Sequence, residues 1–381
     1  MTAPRFLQVH TLHSYAAALL NRDDQGLAKR LPYGNAMRTR ISSQCLKRHW
    51  RMADHDPHAL RKITGAENSF RSRELVTEKV IARLRGRYPD EVIDELEPEF
   101  QKAIYGEKAA GGKKNRPPLI LGEPEIIWLQ SEAEKLAAVA VTADETKIAV
   151  SSWARNFKEN IGVLRENTKL PGGLTAAMFG RMVTSDPAAN IEAPVHVAHA
   201  FTVHAEESEV DYFTAIDDLK REDCTNGADM IQETELTCGL FYGYVVVDLP
   251  GLIDNCGGDR ELAGQVVHNL LYLIAEVSPG AKLGSTAPYG RAEFMLVEAG
   301  DRQPRSLAGA YRQPVTNDLA KAVPALDQHL AMLDEAYETD EVRGYVSLAP
   351  LPLRERRDQK KMTLRELSAW AADCVKEAPD A

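Results

Sequence analysis

The chain has 381 residues, 44% of them hydrophobic and 27% charged, with a formal net charge of −10. That balance suits two or three domains with at least one large core, and it excludes a disulfide-stapled miniature, a collagen-like repeat and wholesale disorder. The charge is unevenly placed: residues 1–51 hold nine Lys/Arg against two Asp/Glu, and the remainder 37 against 54, so a basic segment for an anionic partner sits on an acidic body.

In chain order, Phe6–His13 mixes Phe, Leu, Val and His as a strand does, and a polar loop is predicted over Asn21–Asn35. Met37–Ile41 alternates as a half-exposed strand. Ser42 and Ser43 then stand as N-cap candidates before a short helix, Gln44–Met52. From 57 to 185 helical periodicity dominates: Leu75, Val76, Val80, Ile81 and Leu84 share one face, and a second helix is predicted from Glu125 to Val141. Between them lies a flexible basic loop, Gly111–Pro118. Strand character returns at Val195–Val203 and Leu236–Asp248, separated by the polar segment Glu206–Glu235. Asp259–Val277 reads as an amphipathic helix stopped by Pro279-Gly280, and Phe294–Val297 as a strand. Two helices end the chain, the last opened by the capping box Thr363-x-x-Glu366. With the helical block set aside, the order is β-α-β-β-α-β: an α+β fold with a ferredoxin-like, RNA-recognition-type core.

No run approaches 18 apolar residues, so no bilayer span is expected. Polar residues interrupt the uncharged stretch Phe6–Asn21, which does not read as a signal peptide. Five cysteines without a Cys-x-x-Cys pair suit a reducing cytoplasm.

The most informative stretch is Ile41–Arg51. Helical spacing puts Gln44, Lys47, Arg48 and Arg51 on one stripe, with Leu46 and Trp50 on the other side to pack on a sheet. Free amides at the helix start and a row of cations beside them suit a sugar-phosphate backbone. A solvated basic face would show the same stripe.

Asn21-Arg22-Asp23-Asp24 followed by Arg38-x-Arg40-Ile41-Ser42-Ser43-Gln44-x-Leu46-Lys47-Arg48 resembles the N-terminal signature of the guide-RNA-binding Cascade backbone subunit of type I-E CRISPR systems, in the RAMP superfamily. Gly180-Arg181-Met182-x-Thr184-Ser185, Asp211-Tyr212-Phe213-Thr214-Ala215-x-Asp217-Asp218-Leu219 and Val277-x-Pro279-Gly280-Ala281-Lys282 match the family in the same order. The resemblance implies a palm of RNA-recognition type in two parts (1–56 and 186–381), helical fingers at 57–185 and a long hairpin-like thumb at about 204–235. Several copies would associate head-to-tail along one CRISPR RNA, with other Cascade subunits, and the guide would pair with target DNA. Guide contacts carry over to Ser42, Ser43, Gln44, Lys47, Arg48 and Arg51, with Arg22 and Lys29 adding phosphate contacts and Lys282 in a matching stretch. Met182, Phe213 and Thr214, with Tyr212 beside them, would flank flipped-out nucleotides, where stacking is worth about 1–3 kcal/mol per base; an apolar patch packing within the chain or on a neighbouring copy is the other reading of Tyr212 and Phe213. Cys45 stands where the family has serine. Lys113, Lys114 and Arg116 would touch duplex DNA during target search, and a plain solvated loop reads equally well.

Catalysis is not expected. Asp23 and Asp24 are the one candidate, for a metal-dependent ribonuclease, but they adjoin Arg22, and an arginine partner or a loop cap is the simpler role. His196-x-x-His199 and His55-x-x-His58 read as structural rather than as metal ligands, and no phosphate loop, dinucleotide fingerprint or nucleophile elbow occurs. No cofactor is expected.

Overall fold

The structure is a computed structural model that describes residues 3–106, 109, 111–139, 142, 144–154, 170, 172–182, 190–215, 230–350 and 352–380. Its strands are β1 Phe6–Ala18, β2 Arg30–Tyr33, β3 Ala36–Ile41, β4 Ser69–Ser72, β5 Leu119–Gly122, β6 Val195–Val197, β7 Ala200–Thr202, β8 Ser208–Ala215, β9 Met230–Asp248, β10 Ala292–Gly300, β11 Val342–Ser347 and β12 Gln359–Lys361. Its named helices are α1 Ser43–Arg51, α2 Asp90–Tyr105, α3 Glu123–Val139, α4 Gly173–Phe179, α5 Leu249–Asn255, α6 Arg260–Glu276, α7 Leu283–Thr286, α8 Leu319–Tyr337 and α9 Leu364–Glu377. The fold is α+β. Two compact units divide the chain: Met1–Ala59, Val197–Val247 and Val267–Ala378 make the first, Leu60–His196, Asp248–Val266 and Pro379–Ala381 the second.

The first unit is built on a mixed sheet ordered β12-β11-β10-β1-β9-β7-β3-β2. Leu7–Leu12 and Phe294–Ala299 are buried without alternation, as strands covered on both faces must be. They pair antiparallel, Val9 opposite Val297 and Leu12 opposite Phe294, with a shift in register after Leu12. Leu326 and Leu330 of α8 pack with Leu12, Phe294, Leu296 and Tyr345 in one core cluster.

Residues 30–33 form a strand where a continuous loop was expected. Pro32 hides it, because proline is confined to edge strands and strand starts. A two-residue turn, Gly34-Asn35, joins β2 to β3, with Tyr33 opposite Ala36. Gly34 has φ +62, and a Cβ there would collide with the Arg312 carbonyl oxygen; glycine first in a two-residue turn matches the twist of the hairpin. The predicted strand over 195–203 is interrupted at Ala198-His199, giving β6 and β7. β11 and β12, between the two predicted C-terminal helices, were not anticipated. The capping box of α9 forms: the Thr363 hydroxyl accepts from the Glu366 amide at 3.3 Å, and the Glu366 carboxylate from the Thr363 amide at 2.8 Å.

In the second unit the predicted apolar face, Leu75, Val76, Val80, Ile81 and Leu84, is buried with Ile93, Leu96 and Phe100 of α2 and Ile126 and Leu129 of α3. Val76–Ile81 winds as a π-helix, with the Ala82 amide on the Thr77 carbonyl at 2.9 Å. The five-residue spacing of Leu75 to Val80 and Val76 to Ile81 suits i→i+5 winding better than an α-turn. A small antiparallel pair, β4 with β5, accompanies these helices. No helix among the described residues is long and apolar enough to cross a membrane.

Candidate nucleic-acid interface

Helix α1 is positioned by its apolar side. Trp50 is 3% exposed, and Leu46 and Cys45 pack on Tyr15, Leu20, Ile41 and Phe241. The Cys45 sulfur turns toward the Leu20 carbonyl, 3.9 Å away, and burial pushes its thiol pKa up. Ser42 is the N-cap, its hydroxyl accepting from the Cys45 amide at 3.3 Å. The predicted stripe divides: Gln44 and Arg48 are exposed, while Lys47 and Arg51 are half-buried, as is Ser43 beside it. Burial lowers the Lys47 pKa.

Two segments are tied to this helix. The Ser42 amide donates to Asn21 Oδ1 at 2.9 Å, and the Asn21 carbonyl accepts from the Lys29 amide at 3.0 Å. Asp23 closes the loop between them, its Oδ1 accepting from the Gln25 and Leu27 amides at 2.9 Å each. From the other side, the Gly280 amide donates to His49 Nε2 at 3.4 Å, and the Ala281 amide to the Leu19 carbonyl at 2.9 Å. His49 Nδ1 in turn donates to the Cys45 carbonyl at 2.8 Å, which assigns the neutral tautomer with its proton on Nδ1. The result is an open cleft lined by Asn21, Arg22, Ser42, Gln44, Arg48 and Gly280. It joins three stretches far apart in sequence. Arg22 and Arg48 are exposed there and make no ion pair with a described residue. Asn21 and His49, which build the cleft, were not among the expected site residues; the signal for Asn21 was its place directly before Arg22 in the motif.

Lys29 lines an adjoining recess with Asp23, Asp24, Arg30 and Arg40. Lys282 donates to Thr234 Oγ1 of β9. The expected thumb is an antiparallel arm of β8 and β9, with Tyr212 opposite Glu233, Phe213 opposite Gln232 and Thr214 opposite Ile231. Tyr212 is 58% and Val210 59% exposed, two residues apart on one face of the strand. Residues 216–229, within the expected thumb, lie outside the described residues.

Met182 belongs to the second unit and is 80% exposed. It follows Arg181, which is buried and paired with Glu125 at 2.6 Å. In the basic loop of the same unit, Lys113 pairs with Glu74 at 2.6 Å, while Arg116 donates to the Ala109 carbonyl and to Gln101. Lys114 is exposed. His196 is exposed on β6, and His199, in the break before β7, bonds Arg40 instead of a second histidine.

A family model described as "CT1975-like protein" matches residues 7–370. The chain belongs to the CT1975-like family. Among solved structures, this CT1975-like chain is similar to a protein described as "CRISPR RNA-guided surveillance complex, pre-nicking". The two are 25% identical with a TM-score of 0.78, over 97% of this chain and 100% of the other. A second similar structure, described as "CRISPR RNA-guided surveillance complex", is 21% identical with a TM-score of 0.59, over 97% and 99% of the respective chains, and shares the fold. No curated protein matches.

Proposed function

We propose that this chain is the multi-copy, non-catalytic backbone subunit of a type I-E Cascade-type complex, holding CRISPR RNA for pairing with target DNA in antiviral defence. The observation that carries the reading is the α1 cleft, where the loop from Asn21 to Gly26, the capped helix and the Gly280-Ala281 pair converge around exposed Arg22, Gln44 and Arg48. Backbone amides and cations along an open groove bind a polyanion without reading its bases. Sequence choice is then left to the guide.

A palm of RNA-recognition type fits the neighbour order β10-β1-β9-β7 within the sheet, with α1 and α6 as the helices of a β-α-β-β-α-β unit. The likeness to a protein of an RNA-guided surveillance complex supports the same reading. Copies would associate head-to-tail along the guide, alongside other subunits, with Tyr212 on the arm and Met182 offering apolar surface to unstacked nucleotides.

The test is guide binding by Lys47→Ala combined with Arg51→Ala. Affinity is expected to fall and the dependence on salt to flatten; an unchanged salt slope counts against the reading. The non-catalytic role is checked with assembled protein, guide, complementary RNA and magnesium. Cleavage at regular spacing, lost in Asp24→Ala, would overturn it.

A further inference from the structure

We propose that Arg40, positioned by His199, makes a further contact to the ribose-phosphate backbone of the bound RNA and extends the binding track from the α1 cleft around the first loop. This rests on reading the α1 cleft as an RNA interface. Arg40 is the second-last residue of β3, and its amide donates to the Lys29 carbonyl at 2.7 Å. Its guanidinium Nε donates to the Arg30 carbonyl at 3.1 Å and its Nη1 to His199 Nδ1 at 3.0 Å.

Both acceptors are neutral. A guanidinium only donates, so His199 Nδ1 must offer a lone pair and the ring proton must sit on Nε2. Burial, Arg40 and Lys29 all lower the His199 pKa, in keeping with that neutral form. The fork is therefore oriented without being neutralised, and donors remain on Nη1 and Nη2 for an anion.

The neighbouring Arg30 is treated differently. It pairs with both Glu206 and Glu235, and the Glu235 carboxylate also accepts from the Ala28 amide at 2.6 Å. Arg40 has no carboxylate partner among the described residues. Asp23 and Asp24 line the recess that holds Lys29 and Arg40 and are its opposing charges; Asp23 Oδ1 is held by loop amides, and Asp24 is exposed.

The recess and the α1 cleft share Asp23 and Asp24 as walls, so they are contiguous around one loop. A continuous polyanion can run from Arg48 and Arg22 to Lys29 and Arg40. Both are open, which suits a strand rather than an enclosed small anion.

The experiment is fluorescence anisotropy of a labelled single-stranded RNA of guide length with the full chain, across a salt series. Variants are Arg40→Ala, Arg40→Gln, His199→Ala, His199→Gln, the Arg40→Ala/His199→Ala double and Lys47→Ala/Arg51→Ala. Arg40→Ala should bind about tenfold more weakly at low salt, with its salt slope smaller by about one. Arg40→Gln, which keeps length and polarity without charge, should match it and carries the test if the alanine variant unfolds. His199→Ala should lose about threefold, His199→Gln, whose amide oxygen accepts from Arg40, should recover it, and the double variant should equal Arg40→Ala alone. Wild-type affinity and slope in the Arg40 variants, with a reduced slope in Lys47→Ala/Arg51→Ala, overturns this inference and leaves the α1 reading standing. Wild-type slopes in all of them overturn both. Additive losses in the double variant overturn the positioning role of His199.

Discussion

Two groups of arginines in the first unit meet opposite fates. Around Glu298 every cation ends on a carboxylate: Arg305 reaches both oxygens at 2.9 Å and Arg343 one at 2.7 Å. Arg343 also bonds Asp334, which bonds Arg356, which bonds Asp327. His10 completes the set, with Nε2 3.0 Å from Glu298 and Nδ1 2.9 Å from the Tyr242 hydroxyl. Burial alone would raise the Glu298 pKa, yet bonds from His10 and Arg305 hold it well below the usual carboxylate range. Around the α1 cleft, by contrast, Arg22 and Arg48 face solvent and pair with no described carboxylate, and Asp23, which also lines the cleft, has Oδ1 on amides of its own loop. Matched and sealed, charge holds β1, β10 and β11 in register. Unmatched and exposed, it is available to an anionic partner.

The sharpest way to break this contrast is Glu298→Ala. It strands Arg305, Arg343 and His10 in the sheet and should cost about 3–5 kcal/mol in denaturant unfolding. RNA affinity of the protein that remains folded should not change. The converse variant, Arg22→Ala with Arg48→Ala, should stay within about 0.5 kcal/mol of the parent in stability. Its RNA affinity should fall about a hundredfold at low salt, since each lost charged contact is worth about 1.5 kcal/mol.

A smaller effect concerns pH. Burial holds the His13 pKa at about 4, despite its bond to the Ile274 carbonyl at 3.1 Å. The unfolded chain, with a pKa near 6.5, therefore takes up more protons between those values, so stability is full above pH 6.5 and is lost as pH falls toward 4. His10 is lowered in the same sense. Unfolding measured across that window should show a decline of roughly 1–3 kcal/mol from His13, flattened in His13→Gln. The smallest change expected is Ser42→Ala, which removes the α1 cap and should cost about 1 kcal/mol in thermal unfolding.

What was legible in the sequence is what local spacing encodes. Ser42 before an amphipathic run announces a capped helix, and the four-residue interval from Leu46 to Trp50 correctly names the packed side. The cleft itself was only partly legible. Its cations stand in one motif, but their convergence depends on Asn21 reaching Ser42 and on Gly280 reaching His49, pairings of 21 and 231 residues' separation that periodicity does not carry. β11 was missed because Arg343 and Gly344 break its apolar pattern. Arg343 is 5% exposed, and its burial is intelligible only once Glu298 faces it. Buried Arg38 was likewise hidden, its guanidinium satisfied by the Thr202 and Tyr311 carbonyls at 3.0 and 2.9 Å.

The hairpin turn at Gly34 carries a final implication. Because residue 34 abuts the Arg312 backbone, any side chain there must push apart the β2–β3 hairpin and the segment it rests on. That hairpin aims Arg40, and the strand leading into it fixes Lys29. A single missing methyl group on the far end of the sheet's edge thus sets how far two cations project, and replacing that hydrogen would shift the grip on a strand the residue never touches.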